Sequence, residues 1–201
     1  MKKIYIVLCI VAAVLLLPSG SSAQVAVKTN LLYDMTTTPN VGVEMAVREK
    51  NTVNLVYGIN PWSFSSDSHG KRMVKHWVLM PEYRWWTCTR YAGHFFGVHA
   101  MGGQYNAQNV DLPIPGFFSG ENIRKGVKDS RYQGWYLGAG FTYGYQWVLS
   151  EHWNLEGEIG IGYAYSKFDH YPCAECGYKL GSGHTNYFGI TKLGVSFLYI
   201  F

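Results

Sequence analysis

Between Tyr132 and Leu149 the chain alternates without a break. Trp135, Leu137, Ala139, Phe141, Tyr143, Tyr145, Trp147 and Leu149 occupy every second position, with Gly134, Tyr136, Gly138, Gly140, Thr142, Gly144 and Gln146 between them. A helix would scatter the two sets around its circumference, whereas a pleated strand puts one set on each face. The period of two predicts a long strand with one bulky aromatic face and one small or polar face.

The same test extends along the chain. Val41–Arg48, Lys75–Trp86, Trp153–Ser166 and the final run Leu193–Phe201 alternate in the same way. Val25–Tyr33, Thr52–Asn60 and Phe95–Tyr105 are compatible with it. That predicts eight strands. Their connections alternate between tight (Glu49–Asn51, Thr87–Gly93, Ser150–His152) and longer (Thr36–Pro39, Pro61–Val74, Ala107–Arg131, Pro172–Thr185). This is the hairpin rhythm of outer-membrane barrels, with short periplasmic turns and longer external loops.

The charges decide which face looks inward. Lys28, Glu44, Arg48, Glu82, Arg84, Glu156, Glu158 and Lys192 share the face that carries the glycines, and the large aromatics take the other. A soluble barrel would reverse this. Eight strands enclose room for side chains and little else, so the bulky face is expected to look outward into lipid. The expected fold is all-β: an eight-stranded antiparallel up-and-down transmembrane β-barrel spanning 24–201, with both termini periplasmic. Inside, four bases against four acids predict a paired network that plugs the lumen, since buried charges persist only when matched. A proton relay, or a catalytic pair formed by Glu156 and Glu158, is the sharper alternative.

Composition narrows the function classes. Of 201 residues, 15% are charged and 16% aromatic, which excludes a disordered chain. Lys2 and Lys3 precede an apolar run from Ile4 to Leu17, and Ser21 and Ala23 fit a signal-peptidase site. Residues 1–23 are therefore expected to be a cleaved signal peptide, because 14 apolar residues fall short of the ~20 that a spanning helix needs. Without Lys2 and Lys3, 15 Lys+Arg face 13 Asp+Glu. That near-balance excludes a nucleic-acid partner. The expected localisation is the bacterial outer membrane. Val195, Phe197, Tyr199 and Phe201 alternate up to a terminal phenylalanine and resemble the strand that the barrel-assembly machinery recognises.

Cysteines and histidines offer less. Cys173 and Cys176 share the last long loop, where a disulfide between them is expected. Cys88 falls in a turn at the opposite end. A metal site built from that pair with two of His69, His170 and His184 is a weaker reading, because a lone Cys-x-x-Cys supplies only half a zinc site. His76 and His99 are expected to be inward hydrogen-bonding groups. No catalytic constellation, cofactor motif or phosphate loop stands out.

Several strings carry a resemblance. They include Asn30-Leu-Leu-Tyr-Asp34 with Thr36-Thr-Thr-Pro-Asn40, then Asn60-Pro-Trp-Ser-Phe64, and Lys75-His-Trp77 with Pro81, Glu82 and Arg84. His94-Phe-Phe-Gly97, Gln104-Tyr-Asn106, Gly134-Trp135, Gly144-Tyr-Gln-Trp147, Trp153-Asn154, the Cys173/Cys176 pair, Asn186-Tyr187 and Thr191-Lys192 follow in order. Together they resemble a Bacteroidetes family of small outer-membrane barrels, domain of unknown function 3575. The resemblance implies an outer-membrane barrel, sometimes encoded near fimbrial or other surface-assembly proteins, and no defined catalytic residues.

The expected function is a small barrel with a plugged lumen and a structural or surface-interaction role. Its expected partners are outer-membrane lipid, the assembly machinery, and fimbrial or surface proteins. The alternatives are a lipid-modifying enzyme, for which Ser63, Ser65 and His76 would be the residues to mutate, and a narrow channel.

Overall fold

A computed structural model of the protein describes residues 24–67, 70–108, 130–172 and 178–201. The expected signal peptide, the Cys173/Cys176 pair, His69 and most of the loop 107–131 lie outside the described residues. The elements in chain order are β1 (Val25–Asn30), α1 (Leu31–Met35), β2 (Asn40–Arg48), β3 (Asn51–Asn60), β4 (Ser63–Asp67), β5 (Gly70–Trp86), β6 (Gly93–Gln108), β7 (Ser130–Val148), β8 (Trp153–Pro172) and β9 (Gly181–Ile200).

Eight of the nine strands form one antiparallel ring. Each pairs with its neighbour in the order β1, β2, β3, β5, β6, β7, β8, β9. The ring closes where Ala26–Asn30 of β1 meet Ser196–Ile200 of β9. β4 stands outside it and pairs only with the start of β5. The region read as the loop Pro61–Val74 is thus partly a small hairpin. Gln24 and Phe201 lie with the tight turns at one end of the ring, called the turn end below, and the longer connections lie toward the other.

The wall is uneven in height. β1, β2 and β3 have 6, 9 and 10 residues, while β5 to β9 have 16 to 20. The complete ring exists only toward the turn end. β8 and β9 run further than their clean alternation indicated, because beyond Ser166 both faces carry polar groups and the pattern fades.

β1 is shorter than its sequence pattern. The side-chain oxygen of Asn30 accepts the Leu32 N–H at 3.0 Å, which caps a helical turn instead of extending the strand. Asn40 fastens that turn from the other side. Its Oδ1 accepts the Asn30 N–H at 2.7 Å, and its amide donates to the Asn30 carbonyl and to Asp34 Oδ1, both at 3.0 Å. The string Asn30-Leu-Leu-Tyr-Asp34 with Asn40 is therefore a clasp, and it aims Tyr33 at the interior.

Outward and inward faces separate as the parity predicted. Phe141, Leu137, Ile161 and Phe188 are exposed, whereas Thr142, Gln146, Glu156 and Ser196 are buried. Two irregularities interrupt the period within the ring. One lies between Ala46 and Arg48 on β2. The other makes Thr191 an extra residue on β9, so that Thr191 and Lys192 are both buried.

Candidate functional site

The inward face of the complete ring builds an ion cluster around Arg84, which is fully buried. Its Nε donates to Glu82 Oε2 at 2.6 Å. Nη1 reaches Glu44 Oε2 at 2.8 Å and Glu156 Oε2 at 2.7 Å, and Nη2 reaches Glu158 Oε2 at 2.7 Å. Lys28 bridges Glu44 and Glu156 at 3.1 and 2.9 Å; Lys192 bridges Glu82 and Glu158 at 2.8 and 2.9 Å. One planar fork thus serves four carboxylates contributed by β2, β5 and β8, which suits guanidinium and not ammonium geometry.

Neutral groups complete the shell. Thr52 Oγ1 donates to Glu44 Oε1 at 2.6 Å, and Asn54 Nδ2 to Glu82 Oε2 at 3.1 Å. Arg84 Cζ stands 4.3 Å from the centre of the Phe95 ring, a cation–π contact. Glycines make the room. A Cβ on Gly97 would come within 2.9 Å of Glu82 Oε1, and one on Gly194 within 2.9 Å of Glu158 Oε1.

Seven of the eight charges read from the sequence meet here. Arg48 does not. The irregularity after Ala46 shifts its register, and it is exposed at the end of β2. The correction changes the balance: three bases face four acids. Glu82 Oε1 and Asn54 Oδ1 are buried and make no protein hydrogen bond.

Aromatic groups close the cluster on both sides. At the turn end, Tyr91 adopts a positive φ of 61° and folds beneath the ring. Its hydroxyl donates to the carbonyls of Gln24 and Glu44 at 2.8 and 3.3 Å, and its own carbonyl accepts from Asn154 Nδ2 at 2.8 Å. Burial, with the nearby Glu44 charge, pushes its phenol well above the ordinary range. Ala26 and Leu198 pack with it.

Toward the loop end, Tyr33 packs against a buried cluster that includes Val56, Val78, Met80, Met101, Tyr105 and Tyr136. His99, buried between the two regions, shares hydrogen bonds with Thr142 at 2.8 Å and Thr191 at 2.9 Å. His76 is half-buried on β5 between Asn60 and Tyr105 in register. Neither Tyr33 nor Tyr91 stands out by alternation, because each sits in a connection where a period of two carries no information. The signal for Tyr33 was Asn30 placed as a helix cap.

The remaining predicted residues are dispersed. Among the described residues no group of three His, Cys, Asp or Glu side chains could hold a metal. His170 stacks on the inward Tyr132 at 4.8 Å, whereas His184 stacks on Tyr165 at 5.9 Å. Tyr165 lies on the outward face, so the two histidines do not converge. Cys88 is an exposed free thiol in the turn before β6. Val195, Phe197 and Phe201 are exposed and Tyr199 is half-buried, all along the outer side of β9 and its end.

Among the described residues the charged groups of the cluster are held by one another, with Glu82 Oε1 the buried carboxylate oxygen left without a protein partner. The ion cluster occupies the half toward the turn end, and the apolar cluster with its tyrosines occupies the half toward the loop end. A family model described as a protein of unknown function (DUF3575) matches residues 5–201. No curated protein matches the chain.

Proposed function

The chain belongs to the DUF3575 family, and we propose that it is an exported outer-membrane β-barrel with a blocked lumen, serving a structural or surface-interaction role. The observation that carries this reading is the division of the ring's two faces. Ion pairs and amides fill the inside, while tryptophan, phenylalanine, leucine and isoleucine stand exposed outside. In water, that outer face would be a large unpaid apolar surface. In a bilayer it is the favourable one.

Its height fits. From Trp135 to Trp147 along β7 there are 12 residue steps; at about 3.4 Å each, tilted about 45°, they rise about 29 Å, near the ~25 Å apolar band of outer-membrane barrels. Residues 1–23 would direct export, and Val195, Phe197, Tyr199 and Phe201 would engage the assembly machinery. With Tyr91 beneath the cluster and Tyr33 above it, passage is blocked. The loop end is then the surface left for contact with fimbrial or other surface proteins.

Fractionation tests the assignment together with heat-modifiability on a gel. The expected result is recovery in the outer-membrane fraction and a shift in migration on boiling. A soluble protein with no shift overturns it. In planar bilayers the folded protein is expected to conduct negligibly, and a large steady conductance would overturn the blocked lumen.

A further inference from the structure

On the outside of β5 to β8 the bulky residues give way to polar ones toward the loop end. Trp77, Trp135 and Tyr165 are each followed, at the next outward position of their own strand toward the loop end, by Lys75, Gln133 and Lys167, and Gln104 stands between them on β6. Pairing brings these residues side by side: Trp77 faces Gln104, Gln104 faces Trp135, and Trp135 faces Lys167. The Trp77 indole N–H donates to Gln104 Oε1 at 3.4 Å. An open cleft of about 520 Å³ runs across this shelf.

Among the described residues the shelf carries more positive than negative charge. Lys75 and Lys167 line the cleft and are exposed. Asp169 is the one carboxylate among the described lining residues, and Lys179 already holds it at 2.7 Å. The rim at the turn end differs, mixing Arg48, Lys50 and Arg90 with Glu49 and Glu151. Lys75 and Lys167 sit three strands and two residues apart, so their backbones are about 16 Å from each other at ~4.8 Å per strand. Both stems can reach over the amides between them.

We propose that this shelf binds a phosphate-bearing lipid of the leaflet on the loop side, with Lys75 and Lys167 on its phosphates and Trp77 and Trp135 against its acyl chains. This rests on the membrane-spanning reading above. Aromatic rings, each with a cation at the next outward position of its strand or on the neighbouring strand, and amides between them match an amphiphile with an anionic sugar or glycerol head. A neutral headgroup would leave Lys75 without a counter-charge among the described residues, and Lys167 with only the carboxylate of Asp169 that it shares with Lys179.

The test uses the folded protein in vesicles of phosphatidylcholine brominated on its acyl chains, which quench boundary tryptophans. An unbrominated bisphosphorylated glucosamine-disaccharide lipid is then titrated in. It is expected to relieve quenching in preference to unbrominated phosphatidylcholine, by about fivefold in relative affinity for each lysine. The K75Q/K167Q variant is expected to lose that preference while keeping its shift on boiling, and K75R/K167R to retain it.

Equal preference in the native protein and K75Q/K167Q overturns the proposal. So does loss of the preference in millimolar inorganic phosphate, which would mark a site for the free anion. If brominated lipid quenches no tryptophan at all, the membrane-spanning reading fails instead.

Discussion

On the turn-end side of His99 the interior is held by six charges around one guanidinium. On the loop-end side it is held by Val56, Val78, Met80, Met101 and three tyrosines, with Tyr33 packed against them. The walls differ in step: eight strands enclose the charged half, and the tall strands β5 to β9 rise beyond it. The contrast concerns specificity. Hydrogen-bonded ion pairs depend on distance and angle. A slip of two residues moves a carboxylate about 7 Å along its strand, beyond any of these contacts. Apolar packing, by comparison, tolerates rearrangement when volume is kept. The charged half therefore fixes the register of the closed ring, and the aromatic half fills the space above it.

Removing the centre of the charged half should have the largest effect. Arg84→Met leaves Glu44, Glu82, Glu156 and Glu158 with only Lys28 and Lys192. Breaking a buried pair costs about 3–5 kcal/mol, so the urea midpoint of the heat-modifiable form should fall sharply or the protein should fail to close. Arg84→Met with Glu156→Gln should recover part of the loss, because one unmatched charge goes with the arginine. A single variant that unfolds at the native midpoint would remove the distinction between the halves.

The aromatic half should respond less and more locally. Met101 is 6% exposed and lies within that cluster. Met101→Ala should cost about 2 kcal/mol, the low end for such truncations, because the neighbouring side chains can partly collapse into the space. The ring should still close, and boiling should still shift migration. A loss equal to that of Arg84→Met would mean that packing, too, fixes the register.

Tyr91 tests the floor of the charged half. Tyr91→Phe keeps the ring that packs under the cluster and removes the hydroxyl that donates to the Gln24 and Glu44 carbonyls. The expected loss is about 1 kcal/mol, read again as a urea midpoint, with conductance unchanged. Opening of the lumen by this substitution would show that the hydroxyl itself seals the turn end.

How much of this was legible in the sequence depends on where each residue sits. On strand interiors, parity alone placed Lys28, Glu44, Glu82, Arg84, Glu156, Glu158 and Lys192 on one face, because a pleated strand leaves only two choices. It could not show that Arg84 is the common partner, since that depends on which strands meet across the ring. Tyr33 and Tyr91 close the interior from connections, where backbone direction is set by a cap and by a positive φ. The extra residue at Thr191 was equally hidden, because Thr-Lys reads as an ordinary alternating pair.

Arg48 marks the sharpest edge of what alternation can say, and it carries the smallest expected effect. Up to Ala46 on β2 the parity holds, with Glu44 inside and Met45 outside. The register then shifts, and Arg48 meets Asn51 at the turn with its side chain exposed. Sequence parity would make Arg48→Ala as damaging as the loss of Lys28. The observed geometry predicts a change within about 0.5 kcal/mol, the range of surface substitutions. Lys28→Ala, by contrast, strips a bridge from two buried carboxylates and should cost several kilocalories. Measuring the two urea midpoints side by side separates these accounts, because both residues lie toward the turn end, both are basic, and only one of them touches the cluster.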